Sequence, residues 1–336
     1  MNNLIIRPHG IGDIIMLIPA LRGLVKNNPE EKFTLLVYKG SGQVLPSDLN
    51  INIIEMPRHA GFGETIKLLK EIRRQHFDRL FDLFCNPRTA QLTFLSGIKE
   101  TYGFPCRYRS FVYKYKFTAD RKPGEHIHQV DLYCRFFNTF GLKCEVCPPD
   151  VKMAKEIIAK AKAAIPAQFA QTKPFIAVNP NPNPIFPTRS WPEENIVRFI
   201  ELWYTKTNTP VMLTWGPGEE AASRSIIEKV GSNKAFMHAP LKLNEFAALL
   251  SQLDLFISGD CGPLHIAWGT GKPAIISMFG PTTEQDVEPR GPKHITIRAE
   301  GIECARCHKE HCATKKCMYA ITPEMVLTNV QKILNQ

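Results

Sequence analysis

Short runs of β-branched and apolar residues alternate along the chain with stretches whose apolar positions recur at helical spacing. Leu4 to Arg7, Phe33 to Tyr38, Ile51 to Glu55 and Arg79 to Phe84 predict strands, with helices over 13–26 and 63–75 between them. That rhythm implies a parallel sheet covered on both faces. A stretch bracketed by Pro166 and Pro174 breaks it and reads as a linker. The rhythm then restarts, with strands over 174–178, 210–214, 253–258 and 273–278 and helices over 191–204, 219–230 and 243–253. The pattern predicts an α/β chain of two doubly wound domains, residues 1–165 and 172–320, facing a cleft. The amphipathic helix in 321–336 is expected to pack back on the first domain. In such sheets ligands bind outside the carboxyl ends of the strands, so the loops after the strands are where chemistry is sought.

Length and composition narrow the class. At 336 residues and 44% hydrophobic, each half can build an ordinary core. The apolar run Ile14 to Leu21 has eight residues, where a membrane span needs roughly 20, and no secretory leader pattern opens the chain. A cytoplasmic location is expected, with peripheral contact to the inner membrane surface. The net charge of +10 points to an anionic partner: a nucleic acid, an acidic membrane or a phosphorylated substrate.

Four loops carry candidate chemistry. Arg7-Pro-His-Gly-Ile-Gly-Asp13 joins the first strand to the first helix, with Gly10 and Gly12 expected to permit a tight turn and close approach of a ligand. Asp13 reads either as the N-cap of that helix or as a general base. Ser258-Gly-Asp-Cys-Gly-Pro-Leu-His265 follows a strand and opens a small-residue helix at Gly262, whose free N–H groups suit a diphosphate. Asp260 and His265 flank it, each with a structural alternative as a cap or a buried imidazole. Asn179 to Asn183 and Thr188-Arg-Ser-Trp-Pro192 follow another strand, and Arg189 could clamp a phosphate or be a solvated surface group. Trp215-Gly-Pro-Gly-Glu-Glu220 offers a carboxylate for ribose hydroxyls or for a helix start. Neither a dinucleotide fingerprint nor a P-loop is present.

Two further features stand apart. Residues 107–116 interleave cations with aromatics, and alternation predicts a strand with Arg107, Arg109, Phe111, Tyr113 and Tyr115 on one side and Lys114 and Lys116 on the other. Its alternative is recognition of an anionic glycolipid. Cys304, Cys307, Cys312 and Cys317 have the spacing C-x2-C-x4-C-x4-C, which suits a structural zinc or iron ion, reduced thiols or one disulfide.

Taken together, Gly-Ile-Gly-Asp13 with Pro19-Ala-Leu21, Arg189-Ser-Trp-Pro192, Gly259 to His265, Phe279-Gly-Pro-Thr282 and the cysteine tail resemble the heptosyltransferases, glycosyltransferase family 9, of the GT-B fold. The tail is similar to that of the second inner-core heptosyltransferases. The resemblance runs in order from near residue 4 to near 334. It implies an inverting transfer, usually from ADP-heptose, to a lipopolysaccharide core sugar. No Asp-x-Asp motif is well placed to hold a metal on the diphosphate, so no cofactor is expected to be required for catalysis. The resemblance implies Asp13 as base and Arg189 on the donor phosphates. Asn179, Glu219 (or Glu220), Asp260, Gly262 and His265 then line the donor site on the second domain. Read from the residues themselves, Gly12 and the basic–aromatic run with Arg107, Arg109, Lys114 and Lys116 are assigned to the acceptor, an anionic glycolipid, on the first. Cys261 departs from the family's Ser or Thr. Other readings are a transferase of the same fold with another nucleotide sugar or a protein acceptor, and a non-catalytic basic binding protein with a metal finger. The paired α/β halves argue against the last, and no nucleic-acid partner is expected.

Overall fold

Asn2-Asn-Leu-Ile-Ile6 forms an inner strand with Leu4, Ile5 and Ile6 fully buried, as a strand with helices on both faces requires. A computed structural model describes residues 1–119, 125–183 and 185–335; Pro184 in the Asn/Pro loop and Gln336 of the expected terminal segment lie outside them. The chain divides into two units, Met1–Pro149 and Asp150–Gln336.

The first unit runs β1 (Asn2–Ile6), α1 (Ile11–Asn27), β2 (Lys32–Tyr38), β3 (Asn52–Met56), α2 (Phe62–Arg74), β4 (Arg79–Asp82), α3 (Pro87–Ser96), β5 (Glu100–Gly103), β6 (Tyr115–Lys116) and α4 (Gln129–Thr139). Its six described strands are all parallel, in the order β3-β2-β1-β4-β5-β6. The chain leaves β1 to one side and returns to its other side at β4. The crevice beyond β1 and β4 is therefore the topological switch point. Helix α1 is buried through its middle, from Ile14 to Leu21 and at Gly23 and Leu24, with Pro19 among the buried residues. The segment after α4 lies directly on it: a Cβ at Gly23 would fall 2.0 Å from the Glu145 carbonyl oxygen. Only glycine fits there.

The second unit runs α5 (Lys155–Ala163), β7 (Ile176–Asn179), α6 (Glu193–Thr207), β8 (Val211–Leu213), α7 (Glu220–Val230), β9 (Ala235–Met237), α8 (Leu243–Leu250), β10 (Leu255–Gly259), α9 (Gly262–Thr270), β11 (Ala274–Met278), α10 (Glu284–Val287), β12 (His294–Ile297), α11 (Lys316–Tyr319) and α12 (Pro323–Leu334). The order β12-β11-β10-β7-β8-β9, again all parallel, repeats the design, with the switch at β7 and β10.

Two boundary expectations change. The division falls at Pro149, not in the 165–172 stretch, because α5 packs on α8, Phe169 stacks on Phe236 with centroids 4.1 Å apart, and Ala239 N–H donates to the Ala164 carbonyl. Helix α12 packs in the second unit's core, on α6, β11 and β12, through Val326, Leu327, Val330 and Ile333. At about 1.5–3 kcal/mol per fully buried aliphatic side chain, that face holds it there.

Candidate active site

The loop after β1 brings three charged or titratable side chains together. Asp13 is the third residue of α1, whose N-cap is Gly10, and no side chain caps the helix. Asp13 is therefore not the N-cap that its position near the helix start suggested. Gly12 lies inside α1 rather than in a turn, and Gly10 has φ −62°, which any residue adopts. Arg7 Nη2 donates to Asp13 Oδ1 at 2.6 Å, and His9 Nδ1 lies 2.5 Å from Asp13 Oδ2. Burial alone would push the Asp13 carboxyl up, but the His9 hydrogen bond and the Arg7 charge outweigh it and hold the group below the usual carboxylate range.

The loop after β4 fixes both partners of Asp13. Arg7 Nη1 donates to the Leu83 carbonyl at 2.6 Å, and the Phe84 ring meets His9 edge-on at 4.5 Å. That loop hangs from Asp82, which is fully buried and accepts from the N–H groups of Phe84 and Cys85 and from the Tyr113 hydroxyl at 2.7 Å. Burial raises the Asp82 carboxyl.

The second unit builds a comparable group at its own switch point. Arg189, on the short 3-10 turn Pro187–Arg189, pairs with Asp260 at 3.1 Å, and His265 Nε2 stands 3.7 Å from Asp260 Oδ1. Burial pushes Asp260 up, while His265, Arg189 and Thr282 together bring it below its ordinary value. A Cβ at Gly259 would meet the Arg189 carbonyl oxygen at 2.4 Å, so glycine there lets the Arg189 loop reach β10. Helix α9 opens at Gly262 with Pro263 in its first turn; its N-cap Cys261 makes no side-chain capping bond, and Asp260 is not the cap.

The Cys261 thiol points inward, against Asn179 and Ser258 at 3.1 Å each, and burial pushes it up to about 11. Asn179, expected to face the donor, spends its amide on those two residues. Its neighbour Asn181 keeps a buried Nδ2 without a hydrogen-bond partner among the described residues, as do Arg189 Nε and His265 Nδ1. Buried donors left unmatched in a native site call for a ligand or water. Glu219 precedes α7 and its Oε2 accepts from Gly216 N–H at 2.9 Å, whereas Glu220 is tied to Arg224 one turn on. Of the two carboxylates, Glu219 is the one turned into the loop.

The other expected site residues are placed differently. Residues 107–116 are not one strand: a turn leads into a 3-10 segment at Ser110–Val112, and β6 is only Tyr115–Lys116. Tyr113 is drawn into the core by Asp82, Lys114 pairs with Glu100, and Arg107 lies over the Tyr108 ring. Phe111 is exposed and meets the exposed Phe94 of α3 edge-on at 6.3 Å. The four tail cysteines do not assemble into a ligand set. Cys317 is buried against Gly280, while Cys312 stands beside Thr314; no group of three or more metal-ligating side chains comes together among the described residues. Arg7, His9 and Asn181 were not singled out from sequence. The signal for the first two lay in the same loop as Asp13.

Against known proteins, the family model described as glycosyltransferase family 9 (heptosyltransferase) matches residues 65–318, three quarters of the chain. The chain belongs to glycosyltransferase family 9. As a member it is an enzyme, a glycosyltransferase of the heptosyltransferase family. It is 22% identical to lipopolysaccharide heptosyltransferase 3 of Escherichia coli over 342 residues, covering 96% of this chain and 95% of that one. The fold matches the E. coli ADP-heptose lps heptosyltransferase II with a TM-score of 0.80 at 18% identity, covering 100% and 99% of the two chains. It matches E. coli heptosyltransferase WaaC with ADP-2-deoxy-2-fluoro heptose at 0.70 and 20% identity, covering 99% of each. The two parallel six-stranded sheets are thus those of the GT-B heptosyltransferases.

Proposed function

We propose that this family 9 enzyme transfers a heptose, with inversion, from ADP-heptose to a hydroxyl of a lipopolysaccharide core acceptor. The observation that carries the reading is the pair of carboxylate groups, each at the switch point of its own sheet, where such folds bind ligands. Solved relatives of this fold hold ADP and an ADP-heptose analogue, and several curated relatives are named for lipopolysaccharide or lipooligosaccharide.

The donor belongs to the second unit. Its diphosphate is taken by Arg189 and by the uncapped N–H groups at the start of α9, around Gly262. Asp260 is buried and ionised, and holds Arg189 in place. Glu219 takes the ribose. As the sugar–diphosphate bond breaks, negative charge grows on the leaving phosphates, and these preset positive groups stabilise it more than they stabilise the intact donor.

The acceptor belongs to the first unit. Its hydroxyl is a poor nucleophile until its proton is removed, and the group built on Asp13 is placed to accept it. The cytoplasmic membrane surface supplies the glycolipid. Residues 85–118 carry six cations (Arg88, Lys99, Arg107, Arg109, Lys114, Lys116) against one acid, Glu100. They also expose Phe94, Tyr108 and Phe111. A basic, aromatic surface of this kind suits an anionic bilayer.

The test is transfer itself. Purified protein is offered ADP-heptose, UDP-sugars and other nucleotide sugars with core-truncated lipopolysaccharide, and products are read by mass spectrometry. Heptose addition from ADP-heptose is expected. Turnover confined to a UDP-sugar would overturn the donor assignment.

A further inference from the structure

Both oxygens of Asp13 are already engaged, Oδ1 by Arg7 at 2.6 Å and Oδ2 by His9 at 2.5 Å. An ionised carboxylate can only accept, so the ring nitrogen that faces it carries a proton. In the neutral imidazole the far nitrogen, Nε2, then holds the free lone pair. The His9 side chain is 42% exposed and that of Asp13 only 22%. Phe84 lies against the ring edge-on and Asp13 holds Nδ1, so the imidazole is fixed on two sides while 42% of the side chain stays exposed among the described residues.

We propose that His9 Nε2 takes the proton of the acceptor hydroxyl, and that Asp13 is the positioning carboxylate behind it. This rests on the transferase reading above and deepens it. The acceptor oxygen attacks the anomeric carbon, the new C–O bond forms, and the bond to the diphosphate breaks with its electron pair leaving on phosphate oxygen. The hydroxyl proton passes to Nε2. The resulting imidazolium is stabilised by Asp13, which Arg7 keeps ionised; the proton later returns to solvent. The arrangement follows the logic by which a buried carboxylate fixes the tautomer of a catalytic histidine and steadies its charged form. The charged groups seen facing the imidazole are Asp13 directly and Arg7 behind it.

The experiment uses the full chain with ADP-heptose and core-truncated lipopolysaccharide. His9→Gln is expected to lower kcat by about 10²–10⁴-fold, the usual worth of a general base, with melting temperature and ADP affinity unchanged because the side chain is half exposed. His9→Ala is expected to recover rate on addition of imidazole, which a merely structural role would not allow. His9→Gln within a few-fold of the parent, or His9→Ala that fails to respond to imidazole, overturns the proposal. If Asp13→Asn is then still inactive, the carboxylate itself takes the proton and the transferase reading stands. A parent protein that transfers no sugar from any nucleotide donor removes that reading, and this proposal with it.

Discussion

Each half of the molecule places an aspartate, an arginine and a histidine at the switch point of its sheet, and the two trios differ in which member water reaches most: the histidine in the first, the arginine in the second. Asp13 holds His9 at 2.5 Å with the imidazole 42% exposed; Asp260 stands 3.7 Å from a His265 that is 5% exposed. In the mechanism proposed above, the exposed imidazole of the first trio takes the proton of an incoming hydroxyl, and the buried Asp260 and His265 of the second hold the Arg189 cation for the leaving phosphates. On that reading the same three side-chain types serve proton transfer in one half and charge stabilisation in the other, and the surroundings decide which.

The largest effect that could break this comparison is on turnover. Asp13→Asn should lower kcat by about 10²–10⁴-fold, or about 3–5 kcal/mol of transition-state stabilisation. The amide still accepts from Arg7, so a stability loss of about 1–3 kcal/mol accompanies it, and melting curves separate the two effects. If kcat stays within a few-fold of the parent, the first trio has no part in proton transfer.

Next comes Arg189→Lys. The charge remains while the planar fork is lost, and loss of a charge-assisted bond of about 1.5–3 kcal/mol predicts ADP binding weakened by about 10–100-fold. Calorimetry reads it, and unchanged affinity would place the phosphates elsewhere.

A smaller effect concerns the surface of the first half. Phe94→Ser with Phe111→Ser should reduce cosedimentation with phosphatidylglycerol-rich vesicles several-fold, and raising salt should reduce the parent's binding as the Debye length shrinks to ~3 Å near 1 M. Binding that ignores both changes would remove the membrane from the account.

The smallest effect lies beneath the second trio. Glu284 binds Arg298, which donates to the Gly280 carbonyl at 2.7 Å and braces the turn leading to Thr282. Burial pushes Glu284 up, but Arg306 and Arg298 hold it at about 2. Its folded value lies below the unfolded one of about 4.3, so its stabilisation is complete above that pH and is lost as pH falls toward 2. The stability gap between parent and Glu284→Gln should accordingly close over that interval in acid-unfolding curves. A gap constant with pH would mean the ion pairs contribute nothing.

Much of this was legible in the sequence, for a physical reason. Buried parallel strands need continuous apolar runs, so Phe33 to Tyr38 and Ala274 to Met278 stand out, and the site loops follow such runs. What escaped depends on contacts between distant residues. The alternation of 107–116 reads as a strand until Asp82, 31 positions upstream of Tyr113, pulls that ring inward. A two-residue shift in the start of α1 turned Asp13 from cap to interior of the first turn. The domain boundary moved because α5 finds its partner in α8, about 90 residues on. The cysteine spacing was plain, yet spacing alone does not set where Cys312 points. His9 was in view and unread, since a lone histidine gains meaning only from the carboxylate it touches.

The central claim is the division of labour between the two trios, and ADP titration of matched variants tests it most directly. Isothermal calorimetry of the parent, Asp13→Asn and Asp260→Asn, each checked for folding by melting, should give an Asp13→Asn affinity within about twofold of the parent. Asp260→Asn should bind ADP at least about tenfold more weakly, since a neutral amide no longer anchors Arg189 by charge. Weakened ADP binding in Asp13→Asn with none in Asp260→Asn would contradict the account.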